Sequence, residues 1–547
     1  MKIKTWQNLR KIAQITSLAI FAILFTRYVY LDQSAGWSDI FYRLDPLVAI
    51  TSMLAGRVFI ATLALALITI VLTLIFGRVW CGWFCPLGTI LEWTTPNPKR
   101  KPSFIDKLPI KRTKINFFFL KWIIPKKEIK SPVQDQSTSK WRKVKYLLLI
   151  SILVAVALGN QTLLFLDPNT ILTRSMSAAL WPAIRYGVYR LEKFLFQFKA
   201  LWPVLDFLHA NIVIPLFHNL QAVFSASLIT ALIFIGLILL NRLAERFWCR
   251  YLCPLGGLLG WLSRFALLRR EVSQPCTACG LCNTNCPTGT IDAENGYRSD
   301  PAECIVCLNC LGMCKQKDVA FRWQLKRWKP SAMHSYDPSR REALTAIAAA
   351  AGGVALAGIE PNTRRSPARM IRPPGALLTD FESLCIRCGE CVRVCPTQGL
   401  QLALFESGWQ NLMTSHLVPR LGYCAFNCNA CSQVCPTGAI PPLTLSQKHG
   451  IPIGLASINK DRCLPWAYGT PCVVCEEMCP IPDKAIVFEQ GGGRGLGNSE
   501  GAIIQRPRVL REKCIGCGVC EFYCPVGGEA AIQVFSIPDS KPPLSGI

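Results

Sequence analysis

Cys276-Thr-Ala-Cys279-Gly-Leu-Cys282-Asn-Thr-Asn-Cys286-Pro287 is followed within twenty residues by Cys304-Ile-Val-Cys307-Leu-Asn-Cys310-Leu-Gly-Met-Cys314, a second run of the same spacing. Thiols this close in sequence rarely reach the Cα geometry of a disulfide. Zinc sites take two cysteine pairs separated by a longer spacer. Three thiols at steps of three, with a fourth four residues on, suit a four-iron, four-sulfur cubane, and in paired runs the fourth cysteine ligates the other cubane. The expected ligand sets are therefore Cys276, Cys279, Cys282 and Cys314 for one cluster, and Cys304, Cys307, Cys310 and Cys286 for its neighbour.

The pattern continues beyond this pair. Of 28 cysteines, 24 fall in six such groups. Cys385, Cys388, Cys391 and Cys395 keep the standard gaps, as do Cys514, Cys517, Cys520 and Cys524. Cys424, Cys428, Cys431 and Cys435 lengthen the first gap by one residue, and Cys463 stands apart from Cys472, Cys475 and Cys479. Six [4Fe-4S] clusters are expected, held in α+β ferredoxin-like modules. No Cys-x-x-Cys-His occurs, which excludes covalently attached haem c. Gly491-Gly-Gly-Arg-Gly-Leu-Gly497 lacks the strand–turn–helix frame of a nucleotide site and reads as a loop. No paired carboxylates or nucleophile arrangement stands out.

The formal charge of +26 would suit nucleic acid if it were spread evenly, but it is not. Lys99–Lys145 carries fifteen basic residues against three acidic, and Arg242–Arg341 fifteen against eight, whereas Pro361–Ile547 is nearly balanced at seventeen against fourteen. The excess borders apolar stretches near Ile12–Tyr30, Val58–Phe76, Val144–Leu163 and Ala222–Leu240, as expected of segments on the inner side of a membrane. A four-span α-helical membrane domain follows as an expectation, with no nucleic-acid partner. Arg340-Arg341 before an alanine-rich run to Ile359 reads as a twin-arginine export signal and fifth span. The expected domains are 1–265 (membrane), 266–330 (cytoplasmic two-cluster module), 331–384 (twin-arginine segment and linker) and 385–547 (periplasmic four-cluster domain). A bacterial inner-membrane location follows, with the N-terminus inside. Aromatics in the long connection before the fourth span, among them Trp181, Tyr186, Phe194, Phe198 and Trp202, suit a membrane surface or a partner subunit.

The first half also repeats itself. Asp45-Pro46 precedes Arg78-Val-Trp-Cys81-Gly-Trp-Phe-Cys85-Pro86-Leu-Gly88, and Asp167-Pro168 precedes Arg246-Phe-Trp-Cys249-Arg-Tyr-Leu-Cys253-Pro254-Leu-Gly256. The two copies are expected about a pseudo-two-fold axis. Their four cysteines, Cys81, Cys85, Cys249 and Cys253, are candidate metal ligands. A seventh cluster, a redox disulfide and a copper site all remain open, while Trp80, Trp83, Trp248 and Tyr251 read as interfacial anchors.

Two Cys-x3-Cys-Pro motifs followed by paired cysteine runs resemble the NapH-type membrane iron–sulfur proteins. The part beyond Arg340, with Arg372-Pro373-Pro374-Gly375-Ala376 and Cys385-Ile-Arg-Cys388-Gly, resembles the NapG-type ferredoxin, so the chain looks like a natural fusion of the two. The resemblance implies a quinol dehydrogenase subunit in a multisubunit membrane complex. It would take electrons from membrane quinone and pass them to a periplasmic multihaem cytochrome or molybdoenzyme. Supplying electrons for maturation of another redox enzyme, metal reduction included, is the alternative. Quinol chemistry needs a proton acceptor, and Asp45, Asp167 and His218 are the candidates, although Asp-Pro also simply caps helices. By analogy with four-cluster ferredoxin subunits, the first outer run is expected to pair with the fourth and the second with the third. Cys524 would then complete the set of Cys385, Cys388 and Cys391, and Cys395 that of Cys514, Cys517 and Cys520. Cys479 would join Cys424, Cys428 and Cys431, and Cys435 would join Cys463, Cys472 and Cys475.

Overall fold

The computed structural model describes residues 3–27, 39–95, 137–217, 224–273, 276, 278–293, 296–314, 318–324, 337–358, 370–405, 408–491 and 504–537. The basic segment 99–136, His218 and most of the glycine-rich loop at 491–497 lie outside them. The chain divides into two compact units. One comprises Met1–Leu18, Val71–Leu148 and Gly236–Ser339; the other comprises Ala19–Ile70, Leu149–Ile235 and Arg340–Ile547. Residues 1–265, expected as one domain, are divided between the two.

Among the described residues, a single helix is long and apolar enough to cross a membrane, Lys4–Thr26 within Ile3–Arg27. This overturns the expected four spans and fifth span, and with them the multi-pass inner-membrane placement with modules in opposite compartments. Length is one reason. Ser227–Leu240 has 14 residues, and at about 1.5 Å per residue it falls short of a hydrocarbon core about 30 Å thick. The 58–76 stretch is not one helix either. Arg57 is left-handed at φ 51°, a 3₁₀ turn covers Ala61–Leu65, and the α-helix proper runs only Ala66–Phe76. Ser137–Ala157 and Arg340–Gly358 have the length, but the former carries Arg142, Lys143 and Lys145. The latter opens on Arg340, Arg341 and Glu342 and continues largely in alanine and glycine. Even Ile3–Arg27 buries Arg10, Gln14 and Ser17. Helix Trp181–Leu195 buries none of its residues and leaves Tyr186 and Phe194 exposed.

The repeat is realised in backbone detail. A π-helical turn, Trp80–Phe84, leads through Cys85 (φ −70°, ψ 116°) into helix Pro86–Trp93. Its counterpart, Trp248–Leu252, leads through Cys253 (φ −67°, ψ 114°) into Pro254–Ser263. Proline at the first helical position and cysteine at the cap explain why both helices begin there. In the other unit Asp45 caps Pro46–Gly56 and Asp167 caps Pro168–Ser175, each accepting two backbone N–H groups.

Among the described residues the sheets are two-stranded and antiparallel. Leu268–Val272, before the Cys276 run, pairs with Val319–Trp323, after Cys314, and so closes the first two runs into one module. Leu455–Ile458 and Ile532–Phe535 do the same around Cys463–Cys524. Leu400–Leu402 and Ser415–Leu417 pair between the first and second outer runs, and Ile371 bridges to Leu417.

Candidate metal centres

In the larger unit four recesses are each lined by four cysteines. One of about 390 Å³ brings together Cys385, Cys388, Cys391 and Cys435. Cys395, Cys424, Cys428 and Cys431 line the second, of about 400 Å³. Cys479, Cys514, Cys517 and Cys520 share about 320 Å³, and Cys463, Cys472, Cys475 and Cys524 about 370 Å³. Each fourth cysteine therefore crosses to the adjacent run. The expected pairing of first with fourth and second with third is wrong, because consecutive runs fold together: Leu455–Ile458 pairs with Ile532–Phe535 around the third and fourth runs, and Leu400–Leu402 pairs with Ser415–Leu417 between the first and second.

The smaller unit follows the same rule. Cys286 joins Cys304, Cys307 and Cys310 around about 330 Å³. Cys282 packs with Cys310, Cys286 and Cys314 and has Cys276 and Cys279 as electrostatic neighbours. Burial, and then neighbouring thiols, push these sulfurs up: Cys307 to about 12 beside Cys286, Cys475 to about 12 beside Cys472, and Cys424 to about 11, where Lys448 offsets part of the effect. Thiols crowded and buried in this way resist ionisation unless a metal deprotonates them. The donor chemistry and the backbone N–H groups directed at sulfur fit a [4Fe-4S] cubane. Among those N–H groups are Asp318 to Cys314 (3.3 Å), Ile440 to Cys435 (3.4 Å) and Ala456 to Cys514 (3.5 Å).

Around Cys81, Cys85, Cys249 and Cys253, all buried, the structure shows partners that sequence reading missed. Arg78 donates to the Ala302 carbonyl at 3.0 Å and pairs with Glu303 at 3.3 Å, while Lys145 holds Glu303 at 2.6 Å. Arg246 donates to the Cys81 carbonyl at 3.0 Å, and both it and Arg10 pair with Glu92. Burial alone would raise both carboxyls, yet Lys145 and Arg78 pull Glu303, and Arg246 and Arg10 pull Glu92, down to about 2. An arginine three residues before the first cysteine of each repeat was the available signal. Trp80, Trp248 and Tyr251 are buried rather than interfacial, and Trp83 donates to the Val306 carbonyl at 3.0 Å. Gly82 lies against the Ile305 carbonyl so closely that a Cβ would collide with it. The first repeat thus packs directly on the Cys304–Cys307 loop.

Asp45 and Asp167 are fully buried, and Asn169 Nδ2 donates to Asp45 at 2.8 Å. Burial, offset in part by its backbone N–H donors, holds Asp45 up to about 6; burial and then the Asp45 charge push Asp167 well up. Asp167 Oδ1 has no donor, which a proton shared between the two carboxyls would supply. A carboxyl raised in this way contributes stability that is present below about pH 4 and lost as the pH rises through about 6. Asp45→Asn keeps a capping side chain without the acid. It should therefore raise stability at pH 7.5 by on the order of 2 kcal/mol and change nothing at pH 4, as thermal unfolding at the two pH values would show.

The folds and thiol sets define a ferredoxin-type iron–sulfur protein with multiple [4Fe-4S] clusters and an electron-transfer role. Family models described as a 4Fe-4S binding domain match residues 58–104, 226–273 and 507–528, and a 4Fe-4S dicluster domain matches 383–440, the first two outer runs. The methylamine utilization ferredoxin-type protein MauM of Methylorubrum extorquens is 38% identical over 209 residues, 36% of this chain and 89% of that protein. MauM of Methylophilus methylotrophus is 38% identical over 173 residues, 30% of this chain and 71% of that protein. The ferredoxin-type protein NapG of Escherichia coli is 34% identical over 210 residues, 37% of this chain and 87% of NapG. The chain belongs to the NapG/MauM family of ferredoxin-type proteins. No solved structure matches it.

Proposed function

We propose that the chain is the iron–sulfur subunit of a quinol dehydrogenase, a NapH-like part joined to a NapG-like part, passing electrons from quinol to a cytochrome or molybdoenzyme. The observation that carries this reading is the order of the thiol sets. Cys431 has Cys391 among its nearest charged neighbours, the Cys424 N–H donates to the Cys517 carbonyl at 2.8 Å, and Cys520 neighbours Cys475. The four sets therefore follow one another from Cys385 through Cys424 and Cys514 to Cys463, an order that supports entry at one end and exit at the other. [4Fe-4S] groups held there supply one-electron steps.

Each quinol oxidised gives up two electrons and two protons. Near the Cys388 end, Tyr42 and Arg174 both neighbour Cys388 and Asp167, so in this reading the Asp45/Asp167 pair, which already shares one proton, accepts one of the two and the other passes to solvent. A water-soluble quinol added anaerobically to the oxidised full chain should bleach the cluster absorption, and Asp45→Asn should slow that bleaching about tenfold or more while reduction by dithionite is unchanged. Bleaching by dithionite but never by quinol would reject the quinol donor and leave the electron-carrier role standing.

A further inference from the structure

Four thiols outside the six runs stand together. Burial raises Cys253, and its charged neighbours after that are Cys249, Cys81 and Cys85; those of Cys85 are Cys249 and Cys81. Each repeat contributes two of them, one from a π-helical turn and one from a helix cap. The capping sulfurs already receive backbone donors, Gly88 N–H to Cys85 at 3.4 Å and Gly256 N–H to Cys253 at 3.2 Å.

The surroundings carry more donors than the protein satisfies. Trp80 Nε1, Trp248 Nε1, Arg78 Nε and Nη2, and Arg246 Nε are buried and have no hydrogen-bond partner. They form symmetry-related pairs, tryptophan with tryptophan and arginine with arginine, from the two repeats. The position a Cβ on Gly256 would take is 2.9 Å from Arg78 Nη2. Arg78 therefore crosses from the first repeat to the Cys253 cap of the second, just as Arg246 crosses to Cys81. Unpartnered buried N–H groups are expensive, so their recurrence in pairs around four thiols calls for an acceptor-rich anion.

Charge points the same way. Glu303 lies between Arg78 and Lys145, and Glu92 between Arg246 and Arg10. Each group keeps one positive charge in excess, whereas four thiolates on an oxidised four-iron core carry a total of about −2. Arg142 and Arg250, which reach Gly289 in the Cys286 loop, add to the positive surroundings, since Arg142 also acts on Glu303 and Glu303 on Arg250. In a cubane each thiolate binds its own iron.

We infer that Cys81, Cys85, Cys249 and Cys253 jointly hold one further [4Fe-4S] cluster, shared between the two repeats. Arg78, Arg246, Trp80 and Trp248 donate to its sulfur atoms. The site adjoins the Cys286/Cys304/Cys307/Cys310 set, since Arg246 neighbours both Cys249 and Cys307. The inference rests on the iron–sulfur reading and not on which donor or acceptor the chain serves.

The test is iron and acid-labile sulfide per anaerobically purified full chain. Wild type should hold about 28 irons, seven sets of four. Cys81→Ser/Cys85→Ser and Cys249→Ser/Cys253→Ser should each lose about four irons and four sulfides, and combining them should lose no more. A wild-type total of about 24, unchanged iron in both variants, or additive losses would overturn the shared cluster. Variants that fail to fold leave the wild-type total to decide. Arg246→Met should also shift, without lowering the iron count, the potential of a cluster that Cys81→Ser/Cys85→Ser removes; a shift confined to clusters that persist in that double variant would belong to the Cys307 set and overturn the assignment. Quinol bleaching is read separately, so its failure would not touch this count.

Discussion

Cys435→Ser is expected to remove the cluster of Cys385, Cys388 and Cys391, although Cys435 belongs in sequence to the next run. The same recess holds Cys435 with those three thiols, and Cys435 is among the charged neighbours of Cys385, Cys388 and Cys391 alike. A chain already carrying Cys388→Ser should therefore lose no further iron when Cys435→Ser is added. Adding Cys524→Ser to that chain should cost about four irons more, from the set of Cys463, Cys472 and Cys475. The reverse result, Cys524 silent and Cys435 additive, is what pairing of the first run with the fourth would give.

That pairing shows where sequence reading stops. At Cys276–Cys314 the two runs and the exchange of Cys286 to the Cys304 set were legible, because only one partner run lies nearby. Among four outer runs every ligand is a cysteine, so spacing cannot tell Cys435 from Cys524. What decides is the pairing of Leu455–Ile458 with Ile532–Phe535, and short strands of ordinary composition do not announce their partners. The spans were misread for a related reason. Apolar runs such as Ala222–Leu240 look alike whatever the point at which the helix begins, and the turn at Ser225–Ala226 delays it here to Ser227. The repeat was legible in Arg-x-x-Cys-x3-Cys-Pro, but its charge partners Glu92, Glu303 and Lys145 were not, since only folding brings residues 158 apart into contact.

Glu303 is the carboxylate on which this part of the smaller unit most depends. It is buried, precedes Cys304 directly, and receives Lys145, Arg78 and the Tyr146 hydroxyl. Removing one partner of a buried ion pair leaves the other charge without compensation, at a cost of about 3–5 kcal/mol. Glu303→Gln should therefore lower the urea midpoint at which cluster absorption collapses, and should loosen the Cys304 loop. The loss should depend on pH in a defined direction. Glu303 is held down to about 2, so its contribution in wild type is present above about pH 4.5 and disappears as the pH falls toward 2. Lys145, with burial as the dominant influence and Glu303 opposing it, is held to about 8. Without Glu303 that opposition is gone, the ammonium gives up its proton at lower pH, and a neutral amine is easier to bury. The deficit of Glu303→Gln should then shrink as the pH rises from 6 to 9. Lys145→Met combined with Glu303→Gln removes both buried charges and should recover most of the lost stability. If the single variant matched wild type at pH 6, the pair would be only a crossing of side chains. If the double variant were no better than the single, Arg78 rather than Lys145 would be the charge left stranded.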